Sequence, residues 1–144
     1  MTTLSEATAA PVPVTIDGET YLISPRTNED YGTLENWIKA KLVQIARESI
    51  DENTSPEMQE LTIDRALIKA ATTDWYSKDG LAIVNSGAGL EFRMWLGMRH
   101  NHPKLTLATV RGLLKDHRAE ILDAFNLTQA NAKKNEPNAT GRNP

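Results

Sequence analysis

The sequence predicts a mainly α protein, with an N-terminal β-hairpin packed on a compact bundle of four to five helices and with disordered ends. Three observations predict it. Apolar residues alternate over residues 12–23 around Asp17-Gly18; they then recur three or four apart as far as Phe125; and both ends are nearly free of large apolar side chains. A chain of 144 residues accommodates one core. The expected organisation is therefore a flexible leader at 1–11, a single domain at 12–125 and a disordered tail at 126–144.

Val12, Val14 and Ile16 alternate with Pro13 and Thr15, Asp17-Gly18 supplies a turn that favours positive φ, and Tyr21 and Ile23 resume the alternation. A lone hairpin is marginal in water, so one face must lie on other elements. Ser24-Pro25 ends it. Asn28 or Thr27 can cap the first helix, whose Glu29 and Asp30 suit the positive end of a helix dipole. Leu34, Trp37, Ile38, Leu42 and Ile45 then share a face. Ser55-Pro56 opens a second helix, serine as cap and proline at the first helical position, running to about Trp75. Its apolar residues fall on two sides, Leu61, Ile68, Ala71 and Trp75 on one and Ile63, Leu67 and Ala70 on the other, which predicts contact with two layers.

Lys78-Asp79-Gly80 reads as a turn, and Leu81-Ala82-Ile83-Val84 is too short for periodicity to decide between strand and helix. After Ser86-Gly87-Ala88-Gly89, the run containing Leu90, Phe92, Met94, Trp95, Leu96 and Met98 is apolar nearly all round and predicts the most buried helix. Pro103 stops it. Thr106 caps a last helix, with Leu105 and Val110 as a hydrophobic staple, and Val110, Leu113, Leu114, Ile121 and Phe125 form its apolar face. Gly112 weakens this stretch, so a kink or break is expected near Lys115-Asp116.

A formal net charge of -3 argues against general attraction to nucleic acid or an anionic membrane. With no cysteine, disulfides, thiolate metal sites and cysteine nucleophiles are excluded. No apolar stretch approaches a bilayer span, and the N-terminus lacks the basic start and apolar run of a secretory signal, so a soluble intracellular protein is expected.

No nucleophile, base and orienting residue can be assembled, so no enzyme is expected. His100 and His102 offer two zinc donors in a loop without a third ligand at suitable spacing, and His117, between Leu114 and Ile121, reads as a packing histidine; no metal or other cofactor is expected. Ser86-Gly87-Ala88-Gly89 could present N–H groups to an anion, but it lacks the lysine and hydroxyl of a phosphate loop and reads better as a chain turn. Lys104, Arg111, Lys115 and Arg118 could follow a phosphate backbone, which makes a DNA-binding regulator one alternative; Asp116, Glu120 and Asp123 in the same segment oppose it. Trp37, Trp75, Trp95, Met94 and Met98 suit either a core or a helix-accepting groove.

Two stretches carry a resemblance. Val14-Thr15-Ile16-Asp17-Gly18-Glu19-Thr20-Tyr21-Leu22-Ile23, followed by Arg26-Thr27 and Leu34-Glu35-Asn36-Trp37, and then Phe92-Arg93-Met94-Trp95-Leu96-Gly97-Met98-Arg99 with His102-Pro103-Lys104-Leu105-Thr106, resemble the tail assembly chaperones of long-tailed bacteriophages. The likeness is one of order and spans residues 12–125. It implies a small helical protein of the host cell cytoplasm that binds helices of the tape measure protein and keeps it soluble during tail assembly. The tail tube protein is a further implied partner, and self-association is an expectation apart from the resemblance. Trp37, Trp75, Met94 and Met98 are the expected partner-binding residues near a helix-accepting groove. The alternative within the same setting is a structural tail or connector component of the virion, which would remain in purified particles.

Overall fold

The computed structural model describes residues 10–134. Val12–Ile16 (β1) and Glu19–Ile23 (β2) pair antiparallel, with Val14 opposite Tyr21 and Ile16 opposite Glu19. Asp17 and Gly18 turn the chain at φ of 51° and 83°. Positive φ at both central residues is the hairpin turn whose twist matches that of the strands. Val12, Val14, Ile16 and Ile23 are buried, while Pro13 and Thr15 on β1 are exposed. Pro13 also blunts the outer edge of β1, where it offers no N–H to an incoming strand.

Five helices follow among the described residues: α1 (Asn28–Glu48), α2 (Pro56–Ala71), α3 (Lys78–Val84), α4 (Gly87–Arg99) and α5 (Leu107–Lys134). The mainly helical architecture with an N-terminal hairpin is thus as expected. Contacts divide the chain into two compact units where length alone suggests one core: the hairpin with residues from Glu91 onward, and Asn28–Leu90. The boundary falls in the first turn of α4.

In the hairpin unit, α5 contacts both strands. α4 contributes Phe92, Met94, Leu96 and Met98 to the core, and α5 contributes Val110, Leu114, Ile121 and Phe125. The Ser24 N–H donates to the Gly97 carbonyl at 2.8 Å, tying the end of β2 to α4. The guanidinium groups of Arg26 and Arg93 lie 5.4 and 5.9 Å from the centre of the Phe125 ring. Burial, and then the neighbouring Arg26 charge, hold the Arg93 pKa below its ordinary value.

α5 breaks its helical geometry at His117 (φ -132°, ψ 36°), one residue beyond the expected kink. The His117 ring lies between two carboxylates, Nδ1 3.0 Å from Glu120 and Nε2 3.5 Å from Asp17 in the hairpin turn. Beyond Phe125, where composition predicts disorder, α5 continues to Lys134. The expectation fails over 126–134 because a few buried contacts suffice to extend an existing helix. Thr128 is fully buried, and its hydroxyl donates to the Ala124 carbonyl at 2.8 Å and reaches the Ile23 carbonyl at 3.4 Å. The rest of the expected tail, 135–144, and most of the expected leader, 1–9, lie outside the described residues.

In the second unit, α1 contacts α2 and α3. Ser55 caps α2, its hydroxyl accepting from the Met58 N–H at 3.2 Å, with Pro56 at the first helical position. α2 ends at Ala71, short of Trp75, because Thr72 closes it and the Thr73 hydroxyl turns back to the Lys69 carbonyl at 2.6 Å. Lys78-Asp79-Gly80, expected as a turn, is the first turn of α3: the Ser77 hydroxyl accepts from the Gly80 N–H and caps a helix that settles the open assignment of residues 81–84.

Candidate partner-binding surface

The four residues expected to bind a partner divide between the two units. Met94 and Met98 have no exposure and belong to the core of the hairpin unit, which corrects their assignment to a groove. The physical reason is the all-round apolar character of α4, which buries flexible methionines as gap fillers. Trp37 and Trp75 lie in the other unit and are half-buried. Lys41 Nζ stands 5.5 Å from the Trp37 ring centre. Trp75 sits in the loop after α2, with the Tyr31 ring at 5.1 Å and the Tyr76 ring edge-on at 5.5 Å. Its backbone N–H donates to the Glu35 carboxylate at 3.4 Å. These aromatic contacts fix the loop against α1, so Trp75 is engaged within its own unit.

Among the described residues α2 carries four exposed large apolar side chains, Met58, Leu61, Leu67 and Ile68, and Ile45, Tyr76, Leu81 and Leu127 are exposed elsewhere. Ala66 and Ala70, one helical turn apart, are the buried residues of α2. Their small side chains allow α1 to approach closely, and the Lys39 ammonium donates to the Ala70 carbonyl at 2.8 Å. That carbonyl also accepts the Thr73 N–H at 3.2 Å, and a cation there suits the negative end of the helix. With alanines turned inward, the larger apolar side chains face out: Met58, Leu61 and Ile68 are 50%, 39% and 70% exposed. The two-layer expectation fails among the described residues, where Leu61 and Ile68 on one side and Leu67 on the other are exposed. Sequence reasoning missed this surface because it ranked apolar positions by size, whereas the alanine pair at i, i+4 was the signal for the inward face.

Acidic and basic residues border the stripe on opposite sides. Glu57 precedes Met58, Asp64 lies three residues beyond Leu61, and Lys69 follows Ile68. Lys69 pairs with Asp79 of α3 at 3.5 Å, both side chains more than half exposed. Beside the acidic border an open cleft of about 430 Å³ is lined by Arg47, Ile50, Gln59, Glu60, Ile63 and Asp64.

His102 and His117 both contact the hairpin. His102 Nε2 accepts the Leu22 N–H at 2.9 Å, so one ring nitrogen is engaged within the chain. Among the described residues no group of three or more His, Cys, Asp or Glu side chains could hold a metal ion. The Ser86 hydroxyl accepts from the Gly89 N–H at 3.1 Å, capping α4 from within the chain at the place considered for an anion. Arg111, one of the cations considered for a phosphate backbone, is paired with Glu91 at 2.9 Å. No described helix is long and apolar enough to cross a membrane. No protein family model, curated protein or solved structure matches the chain.

Proposed function

We propose that this protein is a binding protein of the tail assembly chaperone kind, which holds an amphipathic helix of the tape measure protein and shields it from aggregation. The observation that carries the reading is the outward stripe of α2, where Met58, Leu61 and Ile68 lie opposite the alanine-lined face that packs on α1. A client helix laid along this stripe removes apolar area from water on both sides, which is the helix-in-groove mode of recognition. The exposed area is small, so each contact is weak. Several copies along one long client gain by multivalency, and weak single contacts permit displacement when tube subunits arrive.

The test is co-expression with a tape measure protein. The wild-type chain is expected to raise the soluble fraction of the client, and the triple variant Met58→Ser, Leu61→Gln, Ile68→Gln to lose that effect while keeping its circular dichroism spectrum. Client solubility that is unchanged by the wild-type chain defeats the proposal.

A further inference from the structure

The α2 stripe also carries the pattern of a self-complementary seam. Met58, Leu61, Arg65 and Ile68 recur at three-four-three spacing, the repeat of the a and d positions of a two-stranded coiled coil. Glu57 and Asp64 then occupy the flank one residue before the a positions, and Thr62 and Lys69 the flank one residue after the d positions. We infer that a second copy of this chain covers the stripe, α2 pairing with α2 in parallel and in register about a twofold axis. The inference rests on the reading of this stripe as a contact surface and adds that, without a client, copies cover one another.

Charge decides the direction of the pairing. In a parallel pair the residue of one flank faces the residue five positions later on the other helix, so Asp64 meets Lys69 of the second copy and lies beside its Arg65. In an antiparallel pair matching flanks meet, and Asp64 faces Asp64. The ion pair of Lys69 with Asp79 is open to water and readily exchanged for the new one. Arg65 within the seam weakens the pair but fixes its register, as a single polar residue at such a position does. The seam spans only two repeats, so the dimer is weak and forms with rising concentration.

The chain has no cysteine, which makes single-cysteine crosslinking clean. Leu61→Cys is expected to give a disulfide-linked dimer under mild oxidation, because the in-register pair sets the two positions side by side. Sedimentation is expected to show monomer passing to dimer with concentration. Asp64→Lys should weaken the dimer by about tenfold, and adding Lys69→Asp should restore it. A monomer at all concentrations, or crosslinks formed only between Met58→Cys and Ile68→Cys chains, overturns the proposal. Client solubility measured with the wild-type chain separates the two readings: a wild-type chain that stays monomeric yet raises client solubility removes the dimer alone, whereas one that dimerises yet leaves client solubility unchanged removes the chaperone reading.

Discussion

The Leu22 N–H donates to His102 Nε2 at 2.9 Å, joining an outward-facing amide of β2 to the loop after α4 across 80 residues of sequence. For Nε2 to accept, the ring must be neutral with its proton on Nδ1. The Tyr21 ring packs on the imidazole with centres 5.4 Å apart. The β2 edge, an unpaired row in an isolated hairpin, is thereby closed by a side chain in place of a third strand.

Replacing His102 with alanine leaves a part-buried N–H without an acceptor, which costs about 1–3 kcal/mol. His102→Gln, whose amide oxygen can accept, should lose less. Denaturant unfolding measures both, and hydrogen exchange at the Leu22 amide reports the bond directly. Equal stability of the alanine variant and wild type would show that water replaces the imidazole without loss.

The buried Thr128 makes the end of α5 part of the hairpin unit. A chain ending at Phe125 should lose about 1–3 kcal/mol relative to one ending at Lys134, since it leaves the Ile23 region uncovered. Thr128→Val keeps the shape and removes the hydroxyl, so its cost should stay below about 1.5 kcal/mol. A truncation at Phe125 as stable as the longer chain would mean that the last turns of α5 add nothing.

The hairpin and the caps at Ser55 and Thr106 were legible because each depends on residues within a few positions: Asp17-Gly18 for the turn, Ser55-Pro56 for α2, and the Thr106 hydroxyl accepting from the Thr109 N–H at 3.2 Å for α5. The far end of α5 was not, since Thr128 is held by Ile23, a partner distant in sequence. Met94 and Met98 were assigned to a groove for a related reason. Methionine is ambiguous between core and surface, and only the approach of α1 to Ala66 and Ala70 decides which side of α2 remains outside.

Core and stripe should respond oppositely to truncation. Met94→Ala, at a site with no exposure, should cost about 2–5 kcal/mol through lost burial and a residual cavity. Ile68→Ser, at a site 70% exposed, should change stability within about 0.5 kcal/mol. Thermal and denaturant unfolding of the two variants checks this. A large loss at Ile68 would show that the stripe is covered within the chain.

Two helical glycines should also separate. A Cβ at Gly112 meets nothing within 4 Å, so Gly112→Ala should stabilise by about 0.5–1 kcal/mol through helix propensity. A Cβ at Gly89 would collide with the carbonyls of Ile83 and Val84, backbone atoms that cannot swing aside, so Gly89→Ala should destabilise. Equal melting temperatures for the two variants would contradict the close approach of α3 and α4 at this turn.

Tyr21 supplies a pH-dependent contribution whose sign follows from its partner. Its hydroxyl donates to the Glu19 carboxylate at 2.9 Å, and that bond, then burial and the charges of Glu19 and Asp17, raise the phenol pKa above its ordinary value. The folded state therefore holds the proton longer than the unfolded chain does. The stabilisation is fully present below the ordinary phenol value and disappears as the pH climbs through the raised one. Glu19→Gln keeps an acceptor but removes the charge, so it should move the Tyr21 midpoint downward and shrink the alkaline loss of stability. Carbon NMR of the Tyr21 ring across the alkaline range measures the midpoint. A midpoint that stays put in the Glu19→Gln variant would remove the carboxylate as its cause.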